Sequence, residues 1–529
     1  MKSANQVLAL PDQRTYYNAV QLVMPIDVRI KLEKSDPIFS FLEAVEGVNF
    51  SKYVKSIRSN NTKSHDKGMM LKTLLFGYME NHRSLREMEH LCQTDLRYLY
   101  LSNEECPSFM AFQRLTEELT GTIEEIFHDL SSQIAGLMGC DTNVQYIDGT
   151  KIEANAQKNT FVYKKRIINA QARLFMRITE TVWQLNQEYG YSYRLKGQYD
   201  SLDMWYIAQY LMEVMVREKI TPVYGKGHRK SRIQAYYDLF VGYAMKLEEY
   251  EYWLGIIGKR NSCSKTDHDA TMMATKWDYY NQSGVTRPCY NCQIAVSNGV
   301  IVNSAVYQTP ADNVTWQDFL DQYNEYHGHY PEYPVADAGY GNYDNYMYNL
   351  QHGMNLVQKY AMYGKENDPK FKKRTYHTRN WEKNEAGFRI CPQGRVFDVW
   401  LYNRYETSPQ GNLTIKQVYG EKEHCAGCPV KAECNKGKEK HIYRDFVQEQ
   451  FYAEVDRQLS TEAGIRMKKQ RCAQVEGAFG VIKQNMKFTR FTRRGMKNVK
   501  MEFLLVCLGY DLLKYHQSRL AVNHASQPS

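Results

Sequence analysis

The sequence contains no apolar run long enough to cross a membrane. Its longest apolar stretch, Phe503 to Leu513, is too short for a span and carries Asp511. The first ten residues, Met1 to Leu10, lack the sustained apolar segment of a secretory signal. Internal repeats and low-complexity tracts are also missing, and hydrophobic residues make up 43% of the 529 residues. We therefore expect a folded globular protein that is not bound to a membrane and works in the cytoplasm.

Acidic residues are nearly absent from one segment near the C-terminus, residues 464–500. It holds eleven lysines and arginines against one acid, Glu476. Removing these from the chain totals of 68 cations and 59 acids leaves 57 and 58, so the whole positive excess lies in this segment. A solvated helix face normally mixes both signs, whereas this concentration predicts a surface that binds a polyanion such as nucleic acid. The cations are Arg466, Lys468, Lys469, Arg471, Lys483, Lys487, Arg490, Arg493, Arg494, Lys497 and Lys500.

Helical spacing of apolar residues predicts three helices in the first part of the chain. They run from Met69 to about Tyr78, from Leu85 to Cys92 and from about Phe109 to Leu119. Ser84 and Glu87 are spaced as a capping box at the start of the second helix. Such a trio is either a helix-turn-helix unit that binds DNA or a small all-α packing unit, and the pattern leaves both interpretations open.

After residue 140, strands begin to alternate with helices. A strand from Val144 to Asp148 and a later strand from Tyr333 to Asp337 each end in an acid that is followed by small residues. This alternation predicts a mixed α/β fold. The other expected elements are a hairpin of Tyr290–Val296 and Val300–Tyr307, helices over Val314–Tyr326, Arg466–Lys487 and Val499–Gln517, a helical stretch over 165–255 and irregular chain over 364–445.

Three acids stand in contexts that suit an active site. Asp148 and Asp337 lie at strand ends, and Glu476 lies on the long basic helix with Lys483 seven residues further on. Carboxylates are the hard oxygen ligands that Mg²⁺ or Mn²⁺ requires, and two such ions can activate water or a 3′-hydroxyl for phosphoryl transfer. For any single acid among 59, capping a turn or pairing with an arginine is the ordinary interpretation.

The motifs around these acids resemble those of the DDE transposases of bacterial insertion sequences, which have a ribonuclease-H-like catalytic core. Asp148-Gly149-Thr150-Lys151 is similar to the first catalytic block and Ala336-Asp337-Ala338-Gly339-Tyr340 to the second. Val475-Glu476-Gly477-Ala478-Phe479-Gly480 with Lys483 is similar to the third. Each block alone is a weak signal, but their order is specific. The resemblance covers nearly the whole chain and includes Met69–Lys72, Ser84–Arg86, Asp95, Asn155, Tyr290–Gln293, Arg490-Phe491, Arg494-Gly495 and Glu502.

The resemblance implies a ribonuclease-H-like core at residues 140–517, interrupted by a helical insertion at about 160–260 and a cysteine-rich insertion at about 364–450. A helical, DNA-binding domain at 1–135 precedes this core, and a tail at 518–529 follows it. Two Mg²⁺ or Mn²⁺ ions would bind Asp148, Asp337 and Glu476. A homodimer in the synaptic complex would cut double-stranded DNA at the terminal inverted repeats and join the 3′-ends to target DNA. The residues that would hold DNA phosphates are Lys483, Lys487, Arg490, Arg493, Arg494 and Lys497.

One departure from the family concerns the residues before the glutamate. Related transposases often carry Tyr and Arg seven and four residues before it, where this chain has Lys469 and Cys472, with Arg471 next door. The departure affects the expected contacts with the DNA end and not the metal site.

Other acids and other functions remain as alternatives. Asp312 follows a strand and is an alternative second acid, while Asp267 and Asp269 lie in an expected turn. A DNA-binding protein that has lost catalysis, or a nuclease on the same core, would carry many of the same motifs. The intact trio of acids favours the transposase.

Twelve cysteines without a secretory signal favour reduced thiols or a metal site over disulfides. Cys425 and Cys428 are separated by two residues, Cys434 follows after five more, and Cys391 offers a fourth thiolate. Four thiolates hold Zn²⁺ tetrahedrally, and a loop-rich insertion with little core needs such a clip. Family members resemble this arrangement, so we predict a structural zinc ion here. The competing ligands are His424, His441, Cys289 and Cys292.

Overall fold

A six-stranded mixed sheet lies at the centre of the computed structural model, which describes residues 32–54, 65–225, 229–275, 285–408 and 410–525. The strands between residues 144 and 360, in chain order, are β1 (Val144–Glu153), β2 (Phe161–Tyr163), β3 (Ser262–Ser264), β4 (Thr271–Ala274), β5 (Thr286–Ser297), β6 (Val300–Tyr307), β7 (Tyr333–Gly341) and β8 (Gln358–Tyr360). The sheet order is β6-β5-β1-β7-β8, with β4 on the first residues of β5, and β2 pairs with β3 outside it. β1, β5 and β6 pair antiparallel, whereas β7 runs parallel to β1 and β8 parallel to β7. The expected mixed α/β fold is confirmed.

Six helices precede the sheet in the described residues 32–54 and 65–143. They are α1 (Pro37–Val45), α2 (Lys67–Met79), α3 (Leu85–Thr94), α4 (Leu96–Leu101), α5 (Phe109–Leu119) and α6 (Ile123–Leu137), with a 3₁₀ turn at Phe50–Lys52. The three helices predicted from apolar spacing are confirmed as α2, α3 and α5. Asp66 caps α2 and Ser108 caps α5 by accepting backbone N–H groups. Ser84 makes no side-chain cap hydrogen bond, so the capping box predicted at α3 is wrong.

The expected helical stretch over 165–255 is a three-helix insertion with its own core. It consists of α7 (Lys164–Tyr189), α8 (Ser201–Arg217) and α9 (Arg232–Ile257). Buried side chains from all three helices form a cluster separate from the central one. Two further helices follow β6 and β7, namely α10 (Trp316–His327), which confirms the expected helix, and α11 (Tyr343–Gln351).

The prediction of irregular chain over residues 364–445 is wrong. Two small sheets form there, because strand-favouring residues such as Tyr402, Ile415 and Val418 alternate along the chain. A local core of Trp381, Phe397 and Ile442 supports them. The elements are α12 (Pro369–Lys372), β9 (Glu382–Lys383), β10 (Arg389–Ile390), β11 (Val399–Thr407), β12 (Leu413–Gly420), α13 (Lys431–Cys434) and β13 (Ile442–Arg444), with 3₁₀ turns at Lys365–Asn367 and Thr378–Asn380.

The long basic helix occurs where it is expected but is not a regular α-helix. After α14 (Phe446–Ser460), the chain forms α15 (Glu462–Arg471), a π turn at Cys472–Glu476, α16 (Gly477–Gly480) and a second π turn at Val481–Asn485. We call residues 462–485 the Glu476 helix. Its first π turn packs against β1 and β5, and α15 packs against β7. π turns widen the helix locally and are frequent at functional sites.

The closing helix α17 (Met496–Ala525) lies between the N-terminal helices and the sheet. It packs against α1, α2, α6 and β6, so one hydrophobic cluster runs through all of them. At Gly509 it approaches α2 so closely that a Cβ would lie 2.5 Å from the Tyr78 carbonyl oxygen. The fully buried Asp511 carboxylate accepts the Ile301 N–H at 2.8 Å and the Ser131 hydroxyl at 3.1 Å, which ties α17 to β6 and α6.

Within the described part of the chain, no helix is both long enough and apolar enough to span a bilayer. The stretch Met1 to Leu10, on which the expectation about a secretory signal depends, lies outside the described residues. So do the last four residues of the expected tail at 518–529.

Candidate active site and nucleic-acid surface

Asp148 and Asp337 meet at one end of the central sheet. The parallel pairing of β1 with β7 ends at Tyr146 and Val335, and each aspartate lies two residues further along its strand. Residues at the same level of parallel strands point to the same face, so the two carboxylates are neighbours. The sheet therefore brings together the first two acids predicted from the sequence.

The Asp148 carboxyl is perturbed by this environment. Burial raises its pKa to about 6, and the negative charges of Asp337 and Asp312 act in the same direction. Arg471, whose Nη1 lies 3.7 Å from Asp148 Oδ2, and the Gly149 N–H, which donates to Oδ1 at 2.9 Å, oppose the shift. A carboxylate that is desolvated and repelled by its neighbours is stabilised by a bound cation.

The Asp337 carboxylate is half-buried and lies within β7, which continues past the predicted end at Asp337 to Gly341. Its Oδ1 accepts the Gly339 N–H at 2.7 Å. A Cβ on Gly339 would lie 2.9 Å from the same oxygen, so a larger residue there would displace the carboxylate. The glycine at position 339 is therefore explained by its close approach to the Asp337 carboxylate.

Asp312 is part of a polar network of its own, next to Asp148 and Asp337. Its carboxylate forms an ion pair with Lys151 Nζ at 2.9 Å and accepts the amides of Asn291 and Gln293 at 2.8 and 2.9 Å. The Gln293 amide oxygen in turn accepts the hydroxyl of Tyr340. Because these groups occupy Asp312, the geometry favours Asp337 as the second acid.

This network was not found by sequence reasoning, although its residues lie inside two of the quoted motifs. Asn291, Gln293 and Tyr340 are almost fully buried, and buried polar side chains are normally hydrogen-bonded. Gly149 is part of the same arrangement, because a Cβ at this position would collide with the Gln293 amide. The sequence signal that could have revealed the network is the pair of polar residues Asn291 and Gln293, which alternate with apolar residues in β5.

Asp267 and Asp269 hold the start of α17. Asp267 accepts the Tyr290 hydroxyl and the Gly495 N–H at 3.2 Å, and Asp269 accepts the Met496 N–H at 2.8 Å. These contacts lie at the N-terminal end of the helix, where carboxylates are favoured. Both acids have structural partners.

The Glu476 helix crosses the face of β1 that carries Asp148. Tyr146 donates to Gln470, Arg471 faces Asp148, and Lys483 donates to Thr150, so alternate residues of the strand contact the helix. Glu476 itself is exposed and makes no hydrogen bond or ion pair with another described residue. Across the described ranges, no three His, Cys, Asp or Glu side chains are grouped closely enough to hold a metal ion. The structure brings the two aspartates together but does not close the third acid onto them.

The arginines after this helix are anchored by backbone carbonyls, which the sequence did not indicate. Arg490 donates to Ala154 O and Ala156 O at 3.3 and 3.1 Å, and Arg494 donates to Asn155 O at 2.7 Å. The buried Glu502 carboxylate accepts the backbone N–H groups of Thr492 and Arg493. Lys487 and Lys497 are exposed on either side. The segment is therefore a fixed cationic loop and not a mobile tail.

A polar cleft joins this loop to the N-terminal helices. It has a volume of about 750 Å³, and Arg493 crosses it to donate to Thr116 of α5 at 3.1 Å. Arg83 and Ser84, at the start of α3, form the opposite wall. The helices that were predicted to contact DNA thus share one surface with the basic segment.

The four cysteines of the predicted zinc site lie in one region beside the small sheets, but in the described structure no three of them are grouped closely enough to hold a metal ion. Cys391, Cys425 and Cys434 pack on the local core, and burial and the negative charges of the other three thiols raise the pKa of Cys434. Cys425 has a positive φ, as does Gly427, which gives the tight turn that a Cys-x-x-Cys pair needs.

Arg395 fastens this turn to the one that carries Cys391, because its Nη2 donates to Ala426 O at 2.9 Å and the Cys391 N–H donates to Arg395 O. The competing histidines are engaged with Glu439, at 2.6 Å for His424 and 3.0 Å for His441. Cys289 and Cys292 are buried in β5 of the central sheet.

Two families match separate parts of the chain. A family described as "Transposase domain (DUF772)" matches residues 27–118, which contain α1 to α5. A family described as "Transposase DDE domain" matches residues 390–516, which contain the cysteine-bearing sheets, the Glu476 helix and most of α17. No curated protein and no solved structure matches the chain. Both matches are to transposase domains, and together they support a DDE transposase of the insertion-sequence type.

Proposed function

We propose that this transposase cuts DNA at the ends of its insertion sequence and joins the freed 3′-ends to target DNA. The observation that carries the proposal is the placement of Asp148 and Asp337 at the same level of β1 and β7, two residues past the last paired positions. The sheet order, with three antiparallel strands followed by two parallel ones, supports a ribonuclease-H-like core. Asp148, Asp337 and Glu476 are the residues to which we assign catalysis.

The oxygen donors of these residues fit Mg²⁺ or Mn²⁺. Hard carboxylate oxygens suit such ions, and a cation would offset the burial and the neighbouring negative charges that raise the pKa of Asp148. Divalent ions supply the Lewis acidity needed for attack on phosphorus by water and then by a 3′-hydroxyl. Glu476 lies on the helix that crosses Asp148, so docking of a DNA end against this helix would bring the third acid to the other two.

The chain's own residues would hold and orient the duplex. Lys487 and Lys497 offer exposed ammonium groups. Backbone carbonyls fix the positions of Arg490 and Arg494, and the Thr116 hydroxyl fixes that of Arg493. Phosphate contacts of this kind position a duplex but carry no sequence information. We assign recognition of the terminal repeats to residues 1–135, through the walls of the cleft at Arg83 and Ser84.

We further propose that one zinc ion on Cys391, Cys425, Cys428 and Cys434 stabilises the cysteine-rich insertion and takes no part in catalysis. Thiolate donors suit zinc, and the turn at Cys425 places two of them on one side. The active form would contain two copies, one for each end of the element. It would act in the cytoplasm, on the nucleoid when bound to DNA.

Strand transfer tests the proposal directly. The purified protein is incubated with Mg²⁺, a labelled duplex that carries one end of the element and a supercoiled plasmid. Joining of the label to the plasmid is the expected result. A DNA-binding protein that has lost catalysis would cut nothing, and a nuclease would cut the duplex without joining it. Either outcome would contradict the proposal.

A further inference from the structure

Arg471 is a buried cation whose hydrogen-bonding capacity is largely unused. Its residue is 9% exposed, and neither Nε nor Nη1 has a hydrogen-bond partner within the described part of the chain. Nη2 makes only a long contact of 3.9 Å with Cys472 Sγ. Buried guanidinium groups normally satisfy their donors, so these free donors point to an anion that is still to be bound.

The first π turn explains why this arginine faces the active site. Arg471 precedes Glu476 by five residues, which in a regular α-helix would turn the two side chains about 140° apart. In a π turn the i→i+5 hydrogen bonds stack residues that are five apart. The turn at Cys472–Glu476 therefore reduces the angle between the two side chains, with Arg471 buried near β1 and Glu476 exposed.

We propose that Arg471 is a placeholder for the metal ion: it neutralises Asp148 while the site is empty, and it is released when the DNA phosphate arrives. This inference depends on the metal site assigned above. The Arg471 guanidinium places a positive charge 3.7 Å from Asp148 Oδ2. The Lys483 ammonium group donates a hydrogen bond to Thr150. A divalent ion that binds Asp148 must work against this charge, so binding of metal is weakened until DNA offers Arg471 another anion.

The proposal is tested by measuring Mn²⁺ binding to the full-length protein with titration calorimetry. Without DNA, Arg471→Gln should bind Mn²⁺ about tenfold more tightly than wild type, which corresponds to about 1.4 kcal/mol. Arg471→Lys keeps the charge and should stay close to wild type. Arg466→Gln removes an exposed cation of the same helix that pairs with Glu462, and it should change nothing. If Arg471→Gln does not fold, Arg471→Met, which keeps the apolar stem, replaces it.

Two further measurements test release by DNA and the metal site itself. Adding a duplex with the element's end should shrink the difference between wild type and Arg471→Gln, and an undiminished difference overturns release by DNA. Asp148→Asn should abolish Mn²⁺ binding. If it does so while Arg471→Gln binds no more tightly than wild type, the placeholder role is wrong and the metal site stands. If Asp148→Asn leaves Mn²⁺ binding unchanged, the proposed metal site itself is wrong, and the placeholder role falls with it.

Discussion

Asp337 lies at the level of Asp148 on the neighbouring parallel strand, two residues past the last paired positions of β1 and β7. The two carboxylates are thus held by the sheet and not by flexible loops. A site built on the strands of a sheet keeps its geometry when a ligand leaves. Conservative substitutions at these positions should therefore change the chemistry of the site without disturbing the fold around it.

Asp148→Asn, Asp337→Asn and Glu476→Gln should each lower the rate of end cleavage by about two orders of magnitude or more while end binding is retained. Each change removes a ligand charge but leaves the basic loop intact. The measurement is cleavage of a labelled duplex beside a gel-shift assay. Asp312→Asn is the matched control, and it should keep cleavage because Asp312 is occupied by Lys151. The opposite pattern, with Asp337→Asn active and Asp312→Asn inactive, would make Asp312 the second ligand.

Arg490→Ala, Arg493→Ala and Arg494→Ala combined should weaken binding to any duplex. The log–log salt slope should fall by about one unit for each phosphate that the variant no longer neutralises. Preference for the element's end over a scrambled duplex should survive, because phosphate contacts carry no sequence information. The measurement is affinity across a salt series.

The arginines also hold the loop, so a second variant separates phosphate contact from structure. Lys487→Ala with Lys497→Ala changes exposed side chains only and should lower the slope without changing the melting temperature. Removing Arg173, Arg177 and Arg217 from the surface of the helical insertion serves as a charge-matched control with no expected effect. Parallel salt slopes for wild type and both basic-loop variants would mean that this loop does not touch phosphate.

Elemental analysis of chelator-washed protein should find about one zinc per chain. Cys425→Ser and Cys434→Ser should each lose the metal and lower the melting temperature, because the small sheets have little core of their own. Cys106→Ser, at an exposed cysteine far along the chain, should keep both. Metal-free wild-type protein with an unchanged melting temperature would rule out the structural zinc.

Acid should destabilise the fold through His128. Burial and the neighbouring His327 together lower the pKa of His128 to about 3, so the folded state takes up a proton less readily than the unfolded state. The stability that neutral His128 contributes is present above its ordinary pKa of 6.5 and is lost as the pH falls toward 3. The loss should be about 1.4 kcal/mol for each pH unit in that window.

Urea unfolding at successive pH values measures this loss. His128→Gln should flatten the dependence between pH 6.5 and 5, whereas His268→Gln, at an exposed position, should leave it as in wild type. Asp129 and Lys500 face the same ring with opposite charges and are left unchanged. An identical pH dependence in wild type and His128→Gln would show that this histidine is not the group responsible.

The sequence predicted the elements of the core, because their apolar spacing is a local signature. The predicted strand ends at Asp148 and Asp337 are wrong, because β1 continues to Glu153 by pairing with β5, and β7 continues to Gly341. The helix α5 and the strand β6 occur with the predicted bounds. Counting charged residues also located the basic segment, because an excess of positive charge is visible in the sequence alone.

Other features depend on contacts that local pattern does not encode. The π turns of the Glu476 helix arise where it packs against β1 and β5, so a regular α-helix was the only available expectation. The position of Arg471, one residue from where the family carries its arginine, makes sense only with that wider turn. The carbonyl partners of Arg490 and Arg494 come from the end of β1, more than three hundred residues away.

The helix α17 has a consequence for engineering. It packs between α2 and β6, approaches α2 closely at Gly509 and is tied to β6 by the buried Asp511 carboxylate. The N-terminal helices therefore contact the rest of the protein through α17. Replacing residues 1–135 with the equivalent region of another transposase would leave α17 facing a surface it does not fit. A chimera with altered end specificity must therefore exchange α17 together with the helices it supports.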